Sequence, residues 1–427
     1  MKLSTHLGRD RFAWMQPRLT RRDHAVLLVR VAGETPSDVL LETERRPSHL
    51  VVVLDRSGSM GGDRLEQAKA ALVDVVRRLG ASDSFGLVTF DGSVRVVVPA
   101  GPVTDPEAVV RRIEAVRAGG STDLGAGLVR GLEEARCLDV GPGVRVLLVS
   151  DGHANTGVTD PDALRGRVEL VRAEGVTTST LGVGLGYDEQ LLSVIARAGA
   201  GNEHFAEEAD TAAAAIGEEC GELAQQRFLS CRLTFTPSSG IRKAELLNDL
   251  PRTSTGDGFQ VDLGGLRVDE TRSLVIECAP RQATRPGRRR VGVVRLDWVL
   301  ADDLTDHSVS STVWTRVIRP GEPEGVVDRE VLGEWFVQRM LRRKRRAVQA
   351  LAAGRFREAE EWFARVAELA RGAAPGVPRR YREELLHAAD EADHFAEVAP
   401  LEYDPDGRSH ALKSMTVDIA RRARRRS

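Results

Sequence analysis

Nothing in the 427 residues approaches the run of about 20 apolar side chains that a membrane-spanning helix needs. The opening stretch, MKLSTHLGRDRFAWMQPRLTRRD, has no continuous apolar segment either, so no secretory signal is expected. Cysteine is scarce: Cys137, Cys220, Cys231 and Cys278 stand far apart, without a Cys-x-x-Cys pair. That spacing argues against a zinc or disulfide framework and suits reduced thiols in a cytoplasm. Charge of either sign is not in excess, and a formal net charge of -2 gives no global attraction to nucleic acid or to an anionic membrane. The nine histidines show no metal-ligand spacing, and lysine occurs only five times. A Gly-x-Ser-x-Gly elbow is missing, because Arg56 stands where RSGSM would need a glycine. LGVGLG, residues 181–186, lacks the dinucleotide-binding spacing and the acidic strand end that should follow it.

What is present is an ordered alternation. A chain of this length exceeds one compact core, so two or three domains are expected. From residue 50 to about 226, short apolar runs alternate with helical patterns. LVVVLD leads into a helix reaching about Gly80, and FGLVTFD and VRVVVP lie close enough for a hairpin. Helices are expected over 106–117, in LGAGLVRGLEEA, and over 161–174, 188–198 and 211–226. The strands VRVLLVSD and VTTSTLGVG fall between them. Continuous apolar strands separated by helices imply an α/β fold, with a mainly parallel sheet covered on both faces and one hairpin edge.

Residues 228–319 instead alternate with period two, as in CRLTFTP, RSLVIECAP and VGVVRLDWVL, and turn clusters such as STGDG interrupt them. That pattern predicts an antiparallel β-sandwich or small barrel. HAVLLVRVAG, residues 24–33, has the same character and is expected to join that sheet, so that the α/β unit is inserted into the β domain. From 326 the chain is helical. LGEWFVQRMLRRKRRAVQALAAGRFREAEEWFARVAELA resembles a tetratricopeptide-type hairpin, with Ala350, Ala359 and Phe363 at packing positions. One such repeat and a further helix over 379–397 fall short of the ~3 repeats a solenoid needs. A short helical appendage packed on the sandwich is therefore expected. The division reads 1–47, 48–226, 227–320 and 326–398, with a solvated basic tail over 399–427.

The chemistry is concentrated in VVVLDRSGSMGGDRLEQAKAAL, residues 51–72, where an apolar strand turns abruptly into Asp-Arg-Ser-Gly-Ser. In an open parallel sheet, ligands collect beyond the carboxyl ends of the strands. Asp55 belongs at that edge, with Ser57 and Ser59 on the loop into the next helix. Oxygen-only donors of mixed charge suit a hard cation, and magnesium takes them octahedrally at ~2.0–2.1 Å. AGGSTDLGAG supplies Thr122 and VLLVSDGHAN supplies Asp151, each at another strand end. Singly, each has a plainer explanation: helix N-caps for the DRSGS loop and Thr122, a turn for Asp151. Their convergence on one sheet edge argues for a shared ion. His153, nearby, is expected at the surface or against a partner and not as a ligand.

The Asp-x-Ser-x-Ser of DRSGS, the threonine of GGSTD and the SDG after a strand resemble the von Willebrand factor A domain and its metal-ion-dependent adhesion site, over about residues 48–226. The resemblance implies Ser57, Ser59 and Thr122 as hydroxyl ligands, with Asp55 and Asp151 acting largely through bound water. It implies Mg2+, with Mn2+ or Ca2+ as alternatives. An ion without a directly bound protein carboxylate stays electrophilic, so its open position favours a Glu or Asp from a protein partner. The expectation is a non-catalytic, cytoplasmic, bacterial protein-binding module. The flanking strands are similar to bacterial relatives of the inter-alpha-trypsin-inhibitor heavy chains. Family analogy alone points to an AAA+ ATPase or a stress- or conflict-system component as partner. Two alternatives stay open. The metal site could be structural or vestigial, with the C-terminal helices binding the partner. A Mg-dependent phosphohydrolase of the haloacid-dehalogenase type is the other, but it needs a second acid where Ser57 stands and a suitably placed lysine.

Overall fold

The computed structural model describes residues 1–15, 19–20, 23–34, 47–151, 156–184, 187–206, 209–398 and 415. Three strands open the chain: β1 (Lys2–Leu7), β2 (Arg11–Phe12) and β3 (Ala25–Ala32). An α/β unit begins with β4 (His49–Asp55), α1 (Asp63–Arg78), β5 (Ser84–Phe90), β6 (Val94–Pro102), α2 (Pro106–Glu114) and α3 (Leu124–Arg136). It continues through β7 (Val144–Ser150), α4 (Pro161–Ala173), β8 (Thr177–Val183), α5 (Glu189–Ala198), β9 (Ala200–Ala206) and α6 (Ala209–Gln225). Next come β10 (Gln226–Pro237), β11 (Ile241–Leu246), β12 (Arg252–Thr255), β13 (Gly258–Arg267), β14 (Thr271–Pro280), β15 (Gly287–Leu300) and β16 (Thr305–Val317). The last helices are α7 (Arg329–Ala352), α8 (Phe356–Ala373) and α9 (Arg379–Val398). No helix among the described residues is long and apolar enough to cross a membrane.

The central sheet runs β6-β5-β4-β7-β8-β9, parallel throughout except for the β5–β6 hairpin edge. The unbroken apolar run of β4 has a direct cause, since its residues face two cores in turn. Leu50, Val52 and Leu54 pack with Leu65, Leu72 and Val76 of α1 and Ile216 of α6. Val51 and Val53 pack on the other face with Leu128 and Leu132 of α3 and Leu164 and Val168 of α4. Strands buried on both faces lose the period-two alternation that a one-sided sheet shows. β9, which pairs in parallel with β8, is invisible to that logic. It carries Asn202, Glu203 and His204 along a partly buried edge, and no apolar run marks it.

α3 lies unusually close to this sheet. A Cβ added at Gly131 would stand 2.1 Å from Val53 Cγ2, and one at Gly127 would meet the Phe90 ring at 2.6 Å. Close approach fixes α3, and with it the loop that precedes it. Gly131→Ala is expected to destabilise the protein by about 1–3 kcal/mol through overpacking, even though alanine is the better helix former by about 1 kcal/mol. Urea titration of the variant checks the sign; a stabilised protein would mean that Val53 moves aside freely.

Outside the α/β unit, a four-stranded sheet (β1-β3-β14-β11) packs on a six-stranded one (β12-β13-β10-β15-β16-β2). β3 pairs antiparallel with β14, Ala25 against Cys278 through Ala32 against Thr271. Leu27, Val29 and Val31 of β3 meet Leu233 and Phe235 of β10 and Leu296 of β15 in the core between the sheets. The α/β unit thus leaves from β3 in one sheet and returns into β10 in the other, with α6 running straight into β10. α7 covers the outer face of the smaller sheet, where Val331 and Trp335 close over Leu28, Leu247 and Val275. α8 and α9 pack on α7 around Val337, Leu341, Phe363 and Leu385. Ala350, Ala359 and Phe363 are fully buried. The C-terminal tail, apart from Met415, lies outside the described residues.

Candidate metal centre

β4 delivers Asp55 to the carboxyl edge of the sheet, and the chain then tightens into a 3-10 turn over Gly58–Met60. Asp55 is fully buried, and Ser57 N–H donates to its Oδ1 at 2.8 Å. Asp151 follows directly on the neighbouring strand β7, and its side chain is also withdrawn from solvent. Ser59 bridges the two loops: its hydroxyl donates to Asp151 Oδ1 at 2.8 Å and lies 3.1 Å from the Ser57 hydroxyl. Ser57, Ser59 and Asp151 therefore form one hydrogen-bonded chain, which the Ser57 peptide N–H links to Asp55.

Thr122 arrives on the loop before α3, and it too is buried. That loop is stitched to the DRSGS turn by two backbone bonds, Gly119 N–H to the Arg56 carbonyl at 2.8 Å and Gly58 N–H to the Gly120 carbonyl at 3.2 Å. The expected residues thus lie on adjoining loops at one sheet edge. Helix capping does not account for them. The α1 N-cap is Gly62, without a side-chain bond, and α3 is capped by Asp123, whose carboxylate accepts from Ala126 N–H at 2.9 Å.

The profile described as von Willebrand factor type A domain matches residues 49–218. The chain carries a von Willebrand factor type A domain. Among curated relatives, the uncharacterized protein YfbK of Escherichia coli (strain K12) is 30% identical over 242 residues, covering 54% of this chain and 41% of that one. Inter-alpha-trypsin inhibitor heavy chain H4 of Sus scrofa is 32% identical over 130 residues, 29% of this chain and 14% of that one. The chain spans less than half the length of these curated relatives. A solved structure, von Willebrand factor type A from Catenulispora acidiphila, superposes with a TM-score of 0.72 over 97% of this chain and 96% of that one, at 16% identity. At that identity the likeness is one of fold, and it extends over the sandwich and the helices as well as the type A domain.

Four further residues hold the type A site together. Ser150 donates to Asp55 Oδ2 at 2.6 Å. Arg56, the unassigned position of DRSGS, pairs with Asp91 at 2.5 Å and donates to the Arg117 carbonyl at 3.2 Å, tying three loops. Arg64 of α1 pairs with Asp151 Oδ2 at 2.7 Å. Burial pushes the Asp55 carboxyl above the ordinary carboxylate range, against the hydrogen bonds from Ser150 and Ser57, and the nearby Asp151 charge adds to the rise. Burial acts on Asp91 in the same sense, but Ser93 and Arg56 outweigh it and hold that carboxyl below the ordinary range. Two acids of one rim are thus set apart by their neighbours.

Among the described residues no three His, Cys, Asp or Glu side chains gather as a metal cluster. A set of three hydroxyls and two carboxylates fits a hard, oxygen-seeking ion and would not form such a cluster. A cavity of about 430 Å³ lies elsewhere, between α5, the sandwich and the end of α7, and none of the five residues lines it. Within it, Arg197 and Arg345 share Asp249 at 2.9 and 3.0 Å. Gly152 and His153 lie outside the described residues, as do Leu185 and Gly186 of the LGVGLG stretch; β8 ends at Val183, and Gly184 turns the chain.

Proposed function

We propose that the type A domain binds a divalent cation, Mg2+ in the first place, through Ser57, Ser59 and Thr122, with Asp55 and Asp151 holding its water. On this proposal the ion's remaining position captures a Glu or Asp carboxylate of a protein partner, and the chain is a binding protein and not an enzyme. The observation that carries it is the buried pair Asp55 and Asp151, at the ends of two adjoining strands and linked through the Ser57 peptide N–H and the hydroxyls of Ser57 and Ser59, which cap no helix. Two buried carboxylates weaken a fold unless a cation offsets them. Von Willebrand factor type A domains are typically metal-dependent adhesion or protein-binding units, which agrees with this donor set. A bound divalent ion supplies Lewis acidity; the chain's own contribution is to fix the donors on three loops and keep protein carboxylates from quenching the charge.

Mg2+ at 100 times its dissociation constant should raise unfolding free energy by about 2.7 kcal/mol. Thermal melts in Mg2+ against chelator measure this, and capture of partners from a native lysate under the same two conditions tests the binding role. Melts that ignore the metal would refute the proposal.

A further inference from the structure

Arg64 is the second residue of α1, and its guanidinium reaches back into the cluster. Nη1 lies 2.7 Å from Asp151 Oδ2 and 3.4 Å from the Ser59 carbonyl oxygen. The two partners differ sharply in exposure: the Asp151 side chain is 0% exposed and that of Arg64 is 40% exposed. Beneath the guanidinium lies Gly184, just beyond β8. A Cβ there would stand 2.8 Å from Nη2 and 2.9 Å from Cζ, and the glycine has φ of 71°. The left-handed backbone favours glycine there, and the missing side chain leaves room for the arginine head at the end of β8.

We infer that Arg64 is the site's resident cation: it neutralises Asp151 in the metal-free protein, gives way to the divalent ion, and then presents its fork to the carboxylate that the ion captures. This rests on the metal-site proposal above. A divalent ion and a guanidinium repel one another beside the same buried acid, and the interaction is strong where water is excluded. Asp151 has no route away, since it is buried at a strand end. Arg64 has one, because its stem hangs from the first turn of a helix at the rim. A released guanidinium there remains within the mouth of the site, where its paired N–H donors suit a carboxylate. Metal binding and acid recognition are then coupled through one side chain. The ion that evicts the arginine also arms it.

The test is calorimetric titration of the whole chain with Mn2+ and Mg2+, for wild type, Arg64→Gln and Arg64→Lys. Loss of the competing charge in Arg64→Gln should tighten metal binding about tenfold. Arg64→Lys, which keeps the cation, should stay within about threefold of wild type. In the metal-loaded state, Arg64→Gln should bind acetate, followed by NMR, about fivefold more weakly than wild type. Equal metal affinity in all three proteins would overturn this inference and leave the metal site standing. Acetate binding unchanged in Arg64→Gln would overturn the recognition half. Failure of wild type and both variants to bind either metal would overturn the metal site and this inference together.

Discussion

Asp55→Asn is expected to abolish the metal-dependent rise in stability, and metal-dependent partner capture with it, while the metal-free protein melts no lower than wild type. The expectation follows from where Asp55 sits. Its carboxylate is fully buried, accepts from Ser57 N–H and Ser150 O–H, and shares the site with Asp151. Burial, with Asp151 adding to it, holds its proton more tightly in the folded state than in the unfolded chain. The sign is then fixed by linkage. Stability of the metal-free protein falls as pH rises from the ordinary carboxylate range through the raised value, and the full penalty is present above it. A divalent ion offsets that penalty. Asparagine removes it, since its Oδ1 can keep the Ser57 bond and its NH2 can donate to the Ser150 hydroxyl. Melts of wild type and variant, with Mg2+ and with chelator, give four numbers. Wild type should show about 2.7 kcal/mol of metal-dependent gain at 100 times Kd, and the variant none. A variant that keeps the gain would show that the ion, if bound, does not depend on Asp55.

This opposition between a stable fold and a useful site also marks what the sequence discloses. β4 declares itself because burial on two faces writes a continuous apolar run, and Asp55 declares itself by ending that run. Thr122 and Asp151 are legible for the same reason, as oxygen donors where an apolar or glycine-rich stretch breaks. β3 is legible by its alternation, and pairing with β14 follows from that periodicity. The supporting cast is not. Arg64 meets Asp151 across 87 residues and Ser150 meets Asp55 across 95, and no period or motif spans such distances. Ser150 was hidden for a second reason, since serine before Asp-Gly reads as a turn. β1, β2 and β9 also escaped: β2 is only two residues long, and β9 takes its place through a parallel pairing that polar side chains do not advertise. For Thr122 the local signal misleads, because the neighbouring Asp123 takes the N-cap role that a threonine before a helix suggests.

The largest loss of stability from a single change is expected at Glu219, on the opposite flank of the type A domain. Glu219 of α6 is completely buried and draws in three strands at once. Arg145 Nη1 of β7 lies 2.6 Å from Oε1, and the Ser179 hydroxyl of β8 donates to the same oxygen. From β9, Asn202 Nδ2 and His204 Nε2 each donate to Oε2 at 2.7 Å. Burial alone would raise its pKa, but Arg145, His204 and Ser179 together hold the carboxyl far below the ordinary range. Its contribution is therefore complete above the ordinary carboxylate range and erodes only as pH falls toward the depressed value. Glu219→Ala leaves the buried Arg145 guanidinium uncompensated and should cost about 3–5 kcal/mol. The damage should not stay local. α6 passes without a linker into β10, so the network anchors the joint through which the α/β unit enters the sandwich. Denaturant unfolding of Glu219→Ala at neutral pH measures the loss, and the double variant Glu219→Ala with Arg145→Met should recover part of it, because the stranded charge is gone. A cost under about 1 kcal/mol would place this pair with ordinary surface ion pairs and leave apolar packing alone to hold α6 against the sheet.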